Sequence, residues 1–410
     1  MMTASSSDWF FAPFKSVVAH RAFGPRFSGD LYSDTGNIAT LRTTDLSAHG
    51  DISYTTMPRA QVDEAKFEGH FLSRGDLVIS RSGRVGTAAV FEQFDLPVLP
   101  GAFLIRFRLV EEVDPFFYRY FFNSTAGRAL LLSVARGAAQ QNLTIPSIES
   151  LVVPRPPKTR QDTVVAMLKP YDDSIECNRK RIALLEEAAR LLYREWFVHL
   201  RFPGHEHVKL VHGMPSGWRR LTFDDVCDPV GGGTPSTEKP VFWTGGDIPW
   251  YTPTDVTRNS CLALMESEKK ITEAGLRSSS AKMLPAGTVL MTSRASVGFF
   301  GIIDTPSCTN QGFISIVPHD SVGRMYLLQN LMHRVEEIRC HAGGATYKEI
   351  SKGKFKALTV VMPTRTLLEK FEEQASELHG QVRGLHHMNR KLAQARDLLL
   401  PRLMSGEIAV

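Results

Sequence analysis

The sequence predicts an α/β chain of the α+β kind: two mixed domains, each followed by a long helix, with the two helices packed as an antiparallel coiled coil of pseudo-twofold symmetry. Three observations predict it. The chain repeats itself at a nearly constant offset. Each repeat passes from short apolar runs to a long helical stretch. Both helical stretches carry heptad spacing.

The repeat decides the architecture, because a duplicated unit implies two copies of one domain. Gly75-Asp-Leu-Val-Ile-Ser-Arg-Ser-Gly-Arg-Val-Gly86 returns as Gly287-Thr-Val-Leu-Met-Thr-Ser-Arg-Ala-Ser-Val-Gly298. Upstream, Gly36-Asn-Ile and Asp45-Leu46 return as Gly246-Asp-Ile and Asp255-Val256. Downstream, Leu143-Thr, Leu151-Val-Val and Pro156 return as Ile350-Ser, Leu358-Thr-Val and Pro363. Three matches in one order at nearly one offset mark a duplicated unit, and the small drifts are what loop insertions produce. The expected borders are 1–157 and 203–364 for the mixed domains, and 158–202 and 365–410 for the helices.

Within each mixed domain, Leu77-Val-Ile79, Val289-Leu-Met291 and Phe313-Ile-Ser-Ile-Val317 are short apolar runs bounded by Gly, Pro and Ser, and read as strands. Helical stretches near 115–135 and 322–340 interrupt them. Val152-Val-Pro-Arg-Pro-Pro157 and Val360-Val-Met-Pro363 close each domain, because proline stops a strand.

The first helix places Leu168, Ile175, Ile182, Ala189 and Trp196 at one heptad position, with Val164, Tyr171, Asn178, Leu185 and Leu192 at the other. In the second, Ala375, Val382, Asn389, Arg396 and Leu403 face Phe371, Leu378, Leu385, Leu392 and Leu399. Asn178 and Asn389 interrupt the seams. Register setting and local fraying are equally good readings of them. Pro170 predicts a kink or the true helix start, and Pro401 the end of regular helix. About 30 helical residues at ~1.5 Å each span roughly 45 Å. That suits a ruler for two DNA half-sites about 34 Å apart.

Composition is ordinary for a globular protein, with 43% hydrophobic and 22% charged residues, so each domain has enough apolar material for a core. The net charge of +5 permits nucleic-acid binding without requiring it. Five cysteines without a C-x-x-C pair fit neither a disulfide framework nor a zinc ribbon, and suggest buried thiols in a reducing compartment. MMTASSSDWFF has no basic region followed by an apolar run, and no stretch of about 18 apolar residues occurs, so a cytoplasmic protein without membrane contact is expected.

No catalytic centre is expected. Cys227-Asp-Pro-Val230 lacks the second proline and the aromatic of an adenine methyltransferase motif. There is no G-x-x-x-x-G-K-[ST] loop, no H-E-x-x-H and no G-x-S-x-G elbow. Gly231-Gly-Gly-Thr-Pro235 reads either as a turn or as a place where backbone approaches DNA. His205-Glu206-His207 has a metal reading, but a linker is the better one, and His386-His387 reads as a solvated face.

The ordered set of motifs resembles the specificity (S) subunits of type I restriction-modification systems, over nearly the whole chain. Gly231-Gly-Gly-Thr-Pro-Ser236, Gly246-Asp-Ile-Pro-Trp250 and Asp255 resemble the opening of a target recognition domain. Gly75-Asp-Leu-Val-Ile through Gly86 resembles its central strand pair, and Gln141-Asn-Leu-Thr with Leu151-Val-Val-Pro154 its end. Leu185-Glu-Glu-Ala-Ala and Tyr193-Arg-Glu-Trp-Phe197 resemble the central conserved helix. Asp397-Leu-Leu-Leu-Pro-Arg-Leu-Met-Ser-Gly-Glu-Ile408 resembles the family's C-terminus. The sequence departs from the pattern twice. Gly24-Pro-Arg-Phe-Ser-Gly29 stands where the first repeat lacks Gly-Gly-Thr-Pro, and Tyr347-Lys-Glu-Ile-Ser351 replaces Gln-Asn-Leu-Thr.

The resemblance implies a sequence-specific DNA-binding subunit with no cofactor of its own. Each mixed domain would read one half of a bipartite target in double-stranded DNA. It also implies partners: two modification subunits that bind S-adenosylmethionine and methylate adenine, and restriction subunits that cut. Arginine reads guanine, and Asn or Gln reads adenine, while Lys and Arg also position phosphates. The DNA-contact candidates in the first domain are therefore Arg42, Thr43, Thr44, Arg81, Ser82, Arg84, Arg136, Gln140, Gln141 and Asn142. In the second they are Tyr251, Thr252, Thr254, Arg258, Ser293, Arg294, Asn310, Gln311, Tyr347 and Lys348. Arg81 and Arg294 lead, although they sit one residue out of step. Trp196, Phe197, Leu399 and Leu403 are candidate partner contacts, against a core role between the helices. The rival readings are a self-contained enzyme, disfavoured by the missing cofactor motifs, and a tandem-domain coiled-coil structural protein without DNA specificity.

Overall fold

The structure is a computed structural model, and it describes residues 10–137, 141–343 and 348–408. The chain divides into two compact units. Unit 1 comprises Met1–Asp173 with Leu392–Val410, and unit 2 comprises Ser174–Lys391.

In unit 1 the strand Leu77–Ser80 lies inside a four-stranded sheet, between Leu104–Leu109 and Ala88–Val90, with Val18–Phe23 on the far side of Leu104–Leu109. A second sheet sets Ile38–Leu41 antiparallel to Arg59–Ala60 and parallel to Val98–Pro100. Leu77–Ser80 is buried along its whole length. Leu77 and Ile79 join a core with Phe14, Phe107 and Phe117, while Val78 joins a separate one with Ala89 and Leu104. Side chains alternate across a strand, so a sheet covered on both faces demands an unbroken apolar run.

Unit 2 follows the same plan. Val289–Thr292 lies between Phe313–Pro318 and Phe300–Ile303, and Ile248–Tyr251 pairs antiparallel with Lys269–Ile271 and parallel with Cys308–Thr309. Val289 and Met291 face one core, and Leu290 the other. Each unit is closed by a short antiparallel pair: Phe11–Pro13 with Val152–Pro154, and Arg219–Thr222 with Thr359–Met362.

The two long helices are Lys158–Tyr193, continued by a π-helical turn over Arg194–Val198, and Arg365–Met404. In unit 1, Asp172 meets Arg396, while Val164 and Leu168 share a core with Leu400 and Leu403. In unit 2, Asn178 meets Asn389, while Ile182 clusters with Leu385 and Val382. In both places rising numbers on one helix meet falling numbers on the other, so the segments pair antiparallel. The predicted seam positions are buried or half-buried throughout. The Asn178 amide donates to Asn389 Oδ1 at 2.8 Å, which answers the polar breaks by mutual satisfaction rather than fraying.

A helix start at Pro170 and a helix end at Pro401 are corrected: the first helix begins at Lys158 and continues past Pro170, and the second continues past Pro401 to Met404. Both prolines are exposed, as are Ala166 and Asp397 four residues before them, so solvent can serve the carbonyls that lose a partner.

Candidate nucleic-acid interface

The hairpin that carries the leading arginine is built alike in both units. In unit 1, Ser80 Oγ bonds the Arg84 carbonyl and accepts from Thr87 N at 2.9 Å. In unit 2, Thr292 Oγ1 bonds the Ser296 carbonyl and accepts from Phe299 N at 2.9 Å. Gly86 and Gly298 close the two turns at φ 82° and 84°, a conformation that glycine adopts without a Cβ clash.

Both arginines meet the irregular segment that follows the helical stretch. Arg81 Nε donates to Asn142 Oδ1 at 3.0 Å, and its guanidinium lies 4.7 Å from the centre of the Phe23 ring. Arg294 Nε lies 3.3 Å from Glu349 Oε2. The backbone explains the one-residue offset. Leu143 N donates to Arg81 O, whereas Ile350 N donates to Ser293 O. Arg81 and Ser293 therefore hold the same scaffold position, and Arg294 stands one residue further on. Both arginines nonetheless reach the residue that precedes the paired Leu143 or Ile350.

Around Arg81, Gln141 is exposed and Asn142 half-buried, and Arg136 exchanges backbone hydrogen bonds with Asn142. Arg84 is exposed, with Nη1 on the Leu46 carbonyl at 3.3 Å, while Ser82 is buried. Arg42 is less available. Its Nε and Nη2 hold the buried Asp45 carboxylate at 3.1 and 2.8 Å, and Nη2 also donates to Thr56 O. That hydrogen bond and charge, working against desolvation, raise the Arg42 pKa. Arg42, Thr43 and Thr44 line a cleft of about 500 Å3 together with Arg26, Tyr32, Thr40 and Phe103.

In unit 2, Arg294, Lys348, Thr254, Arg258 and Gln311 are exposed. Gln311 Oε1 accepts from Thr234 Oγ1 at 2.6 Å, which ties the Gly-Gly-Thr-Pro loop to the candidate surface. Arg258 pairs with Glu268 at 3.6 Å, and Asn310 Oδ1 accepts from Gly312 N. Several candidates fall elsewhere. Tyr251 is a core residue with no exposure, and its hydroxyl donates to Leu264 O at 3.2 Å. Burial pushes the Tyr251 hydroxyl pKa up. Thr252 caps the helix Pro253–Arg258 through Asp255, and Ser293 is buried just beyond the strand Val289–Thr292. Gln140 and Tyr347 lie outside the described residues.

The departure at Gly24 resolves into an equivalence. A Cβ on Gly24 would come within 2.0 Å of the Gly101 carbonyl, and one on Gly232 within 2.1 Å of the Asn310 carbonyl. Each glycine lets one backbone cross another at the same place in the repeat.

The partner candidates divide. Trp196 and Leu403 are buried in the cores of units 2 and 1, and Phe197 packs edge-on against Tyr326 and Phe371. Leu399 is half-buried against the unit 1 core. These positions answer to packing, because they belong to the seam or extend it. Leu184, Leu191 and Val198 are the exposed apolar side chains of the first helix's outer face, seven residues apart within unit 2. The heptad count that located the seam could have located them too. Among the described residues no helix is long and apolar enough to cross a membrane.

Comparison with known proteins adds an independent observation. Residues 24–187 and 215–367, more than half of the chain, match the family described as the type I restriction modification DNA specificity domain. The specificity subunit of the type I restriction enzyme MjaIX of Methanocaldococcus jannaschii is 35% identical over 37% of this chain, and the match spans 35% of that protein. The specificity subunit of the HindI enzyme of Haemophilus influenzae is 22% identical over 70% of this chain and 75% of its own length. The crystal structure of the S subunit of a type I restriction-modification system from M. genitalium covers 98% of both chains at a TM-score of 0.56 and 15% identity, which supports the fold.

Proposed function

Because the chain belongs to the type I restriction-modification DNA specificity family, we propose that it is the DNA-reading subunit of such a complex. Each unit reads one half of a bipartite target. The observation that carries this reading is the duplicated hairpin, which presents an arginine beside an amide or carboxylate in two copies of one scaffold. Arg81 is the leading guanine reader of unit 1, with Asn142 and Gln141 as the adjacent amides. Arg294 takes the corresponding role in unit 2, with Gln311 and Lys348 near the same surface. Arg84, Arg136 and Arg258 serve phosphates.

The chain supplies no chemistry in this reading. A pair of modification subunits would bind S-adenosylmethionine and methylate adenine at the site it selects, and restriction subunits would join to cut unmodified DNA. The stripe Leu184, Leu191 and Val198 is the helical surface suited to a partner helix. The reading places the complex in the cytoplasm, where it meets DNA.

Methylome sequencing of the host with and without the gene is the test. Loss of one bipartite methyladenine motif on deletion supports the proposal and reveals the target. An unchanged methylome, together with failure to co-purify a methyltransferase, overturns it.

A further inference from the structure

The cleft in unit 1 differs from its surroundings in one respect. Thr40 is 2% exposed, and its Oγ1 has no hydrogen-bond partner among the described residues. Thr40 lines the cleft, and an unsatisfied buried hydroxyl is costly, so a ligand with a polar edge there would relieve it. The rim is aromatic: Phe103 is 53% and Tyr32 44% exposed, and the Tyr32 ring packs at 5.4 Å from Phe27. The cleft adjoins the leading arginine, since Arg81 N donates to Phe103 O at 2.8 Å.

The second repeat fills the same positions differently. Trp250 stands where Thr40 does, opposite Cys308 as Thr40 is opposite Leu99. Its indole donates to Gly233 O at 2.9 Å and packs against Trp243. Gly312 stands where Phe103 does, since Ser293 N donates to Gly312 O, and a Cβ there would approach Pro253 within 2.7 Å. The shared turn is kept, with Asp45 and Asp255 capping it in both units. A common scaffold that differs at the open cleft is what two readers of different half-sites require.

Resting on the DNA-reading assignment above, we propose that this cleft receives the major-groove edge of an A·T pair in the unit 1 half-site, with the thymine methyl against Phe103 and the Thr40 hydroxyl meeting the polar edge. The thymine methyl is the apolar group of the major-groove code, and phenylalanine is a recognised partner for it. Guanine is the poorer fit, because Arg42 has committed its fork to Asp45 and Thr56.

The test uses the complex of this chain with its modification subunits and the target defined by methylome sequencing. Each thymine in both half-sites is replaced in turn by deoxyuridine, which removes only the methyl. One replacement should weaken binding about fourfold, the worth of one buried methyl, and Phe103→Ala should abolish that difference. Thr40→Val should weaken binding to the target while the unfolding temperature holds or rises, because the hydroxyl lost had no partner in the protein. The proposal is overturned if no replacement distinguishes wild type from Phe103→Ala, or if Thr40→Val binds as wild type. Absence of any sequence preference in the wild-type complex would instead overturn the DNA-reading assignment itself.

Discussion

Arg396 Nη1 donates to Asp172 Oδ1 at 2.6 Å, and both side chains are buried within unit 1. The other Asp172 oxygen accepts from the Tyr120 hydroxyl at 2.7 Å and lies 3.2 Å from Arg119 Nη1. Arg119 continues to Asp51 at 2.6 Å, so the two helix segments are joined to the loop that follows Asp45. Removing one member strands a buried charge. Asp172→Ala should therefore destabilise unit 1 by about 3–5 kcal/mol, whereas Asp172→Leu with Arg396→Met should recover only the part due to Arg396, because Arg119 and the Tyr120 hydroxyl still lose their Asp172 oxygen. Urea unfolding of the two variants beside wild type measures the difference.

Asn178 and Asn389 predict a second non-additive pair. Asn178→Leu leaves the Asn389 amide short of a partner and should cost ~1–3 kcal/mol, while replacing both with leucine should be close to neutral. Equal and additive losses in thermal melts would show that the amides act separately.

His379 predicts a pH dependence in unit 2. Burial lowers its pKa to about 4, helped by the charges of Arg324 and Arg383 and opposed by Asp304. The unfolded chain takes up a proton near 6.5 that the folded chain refuses until about 4. Stability contributed by neutral His379 is therefore complete above 6.5 and lost as pH falls toward 4, by roughly 3 kcal/mol in all. Glu372, whose pKa burial raises above the usual 4.5, acts in the opposite direction inside the same window, adding stability as pH falls toward 4.5. His379→Gln should flatten the stability profile between pH 6.5 and 4, and an unchanged slope would reject the assignment.

Arg81 predicts a split between charge and geometry. Arg81→Lys keeps the positive charge but loses the fork that meets both guanine acceptors. It should relax one position of one half-site by ~1–3 kcal/mol while the other half-site is read as before. Methylome sequencing of the variant strain shows which half loses information.

The outer stripe and the core predict opposite outcomes. Leu184→Glu with Leu191→Glu should abolish co-purification with the modification subunit at unchanged stability. Trp196→Ala should cost about 3–5 kcal/mol of stability, because that side chain fills the core.

The duplication and the helix seam were legible because periodicity is a property of sequence. Val78 and Leu290 declared themselves buried by sitting inside unbroken apolar runs. The partners of individual loop residues were less legible. Tyr251 looks like a loop reader in sequence, but it ends the strand Ile248–Tyr251 and its side chain is fully buried in the core. Thr40 and Phe103 are ordinary residues in sequence, and the cleft between them arises from segments more than sixty positions apart. Pro170 misled as a helix start because proline's cost depends on whether solvent reaches the carbonyl it leaves unpaired, and exposure is not written locally.

Because Phe11–Pro13 lies beside Val152–Pro154, and Arg219–Thr222 beside Thr359–Met362, the chain enters and leaves each reading module at one place. The loops between those gateposts can vary in length without changing where the flanking helix starts, provided that residues such as Arg119 and Tyr120 still meet Asp172 on the helix. Two crossovers at the gateposts would install a foreign module whole. New target sequences would then arise by recombination of cassettes, in single steps, rather than by gradual drift through non-functional intermediates.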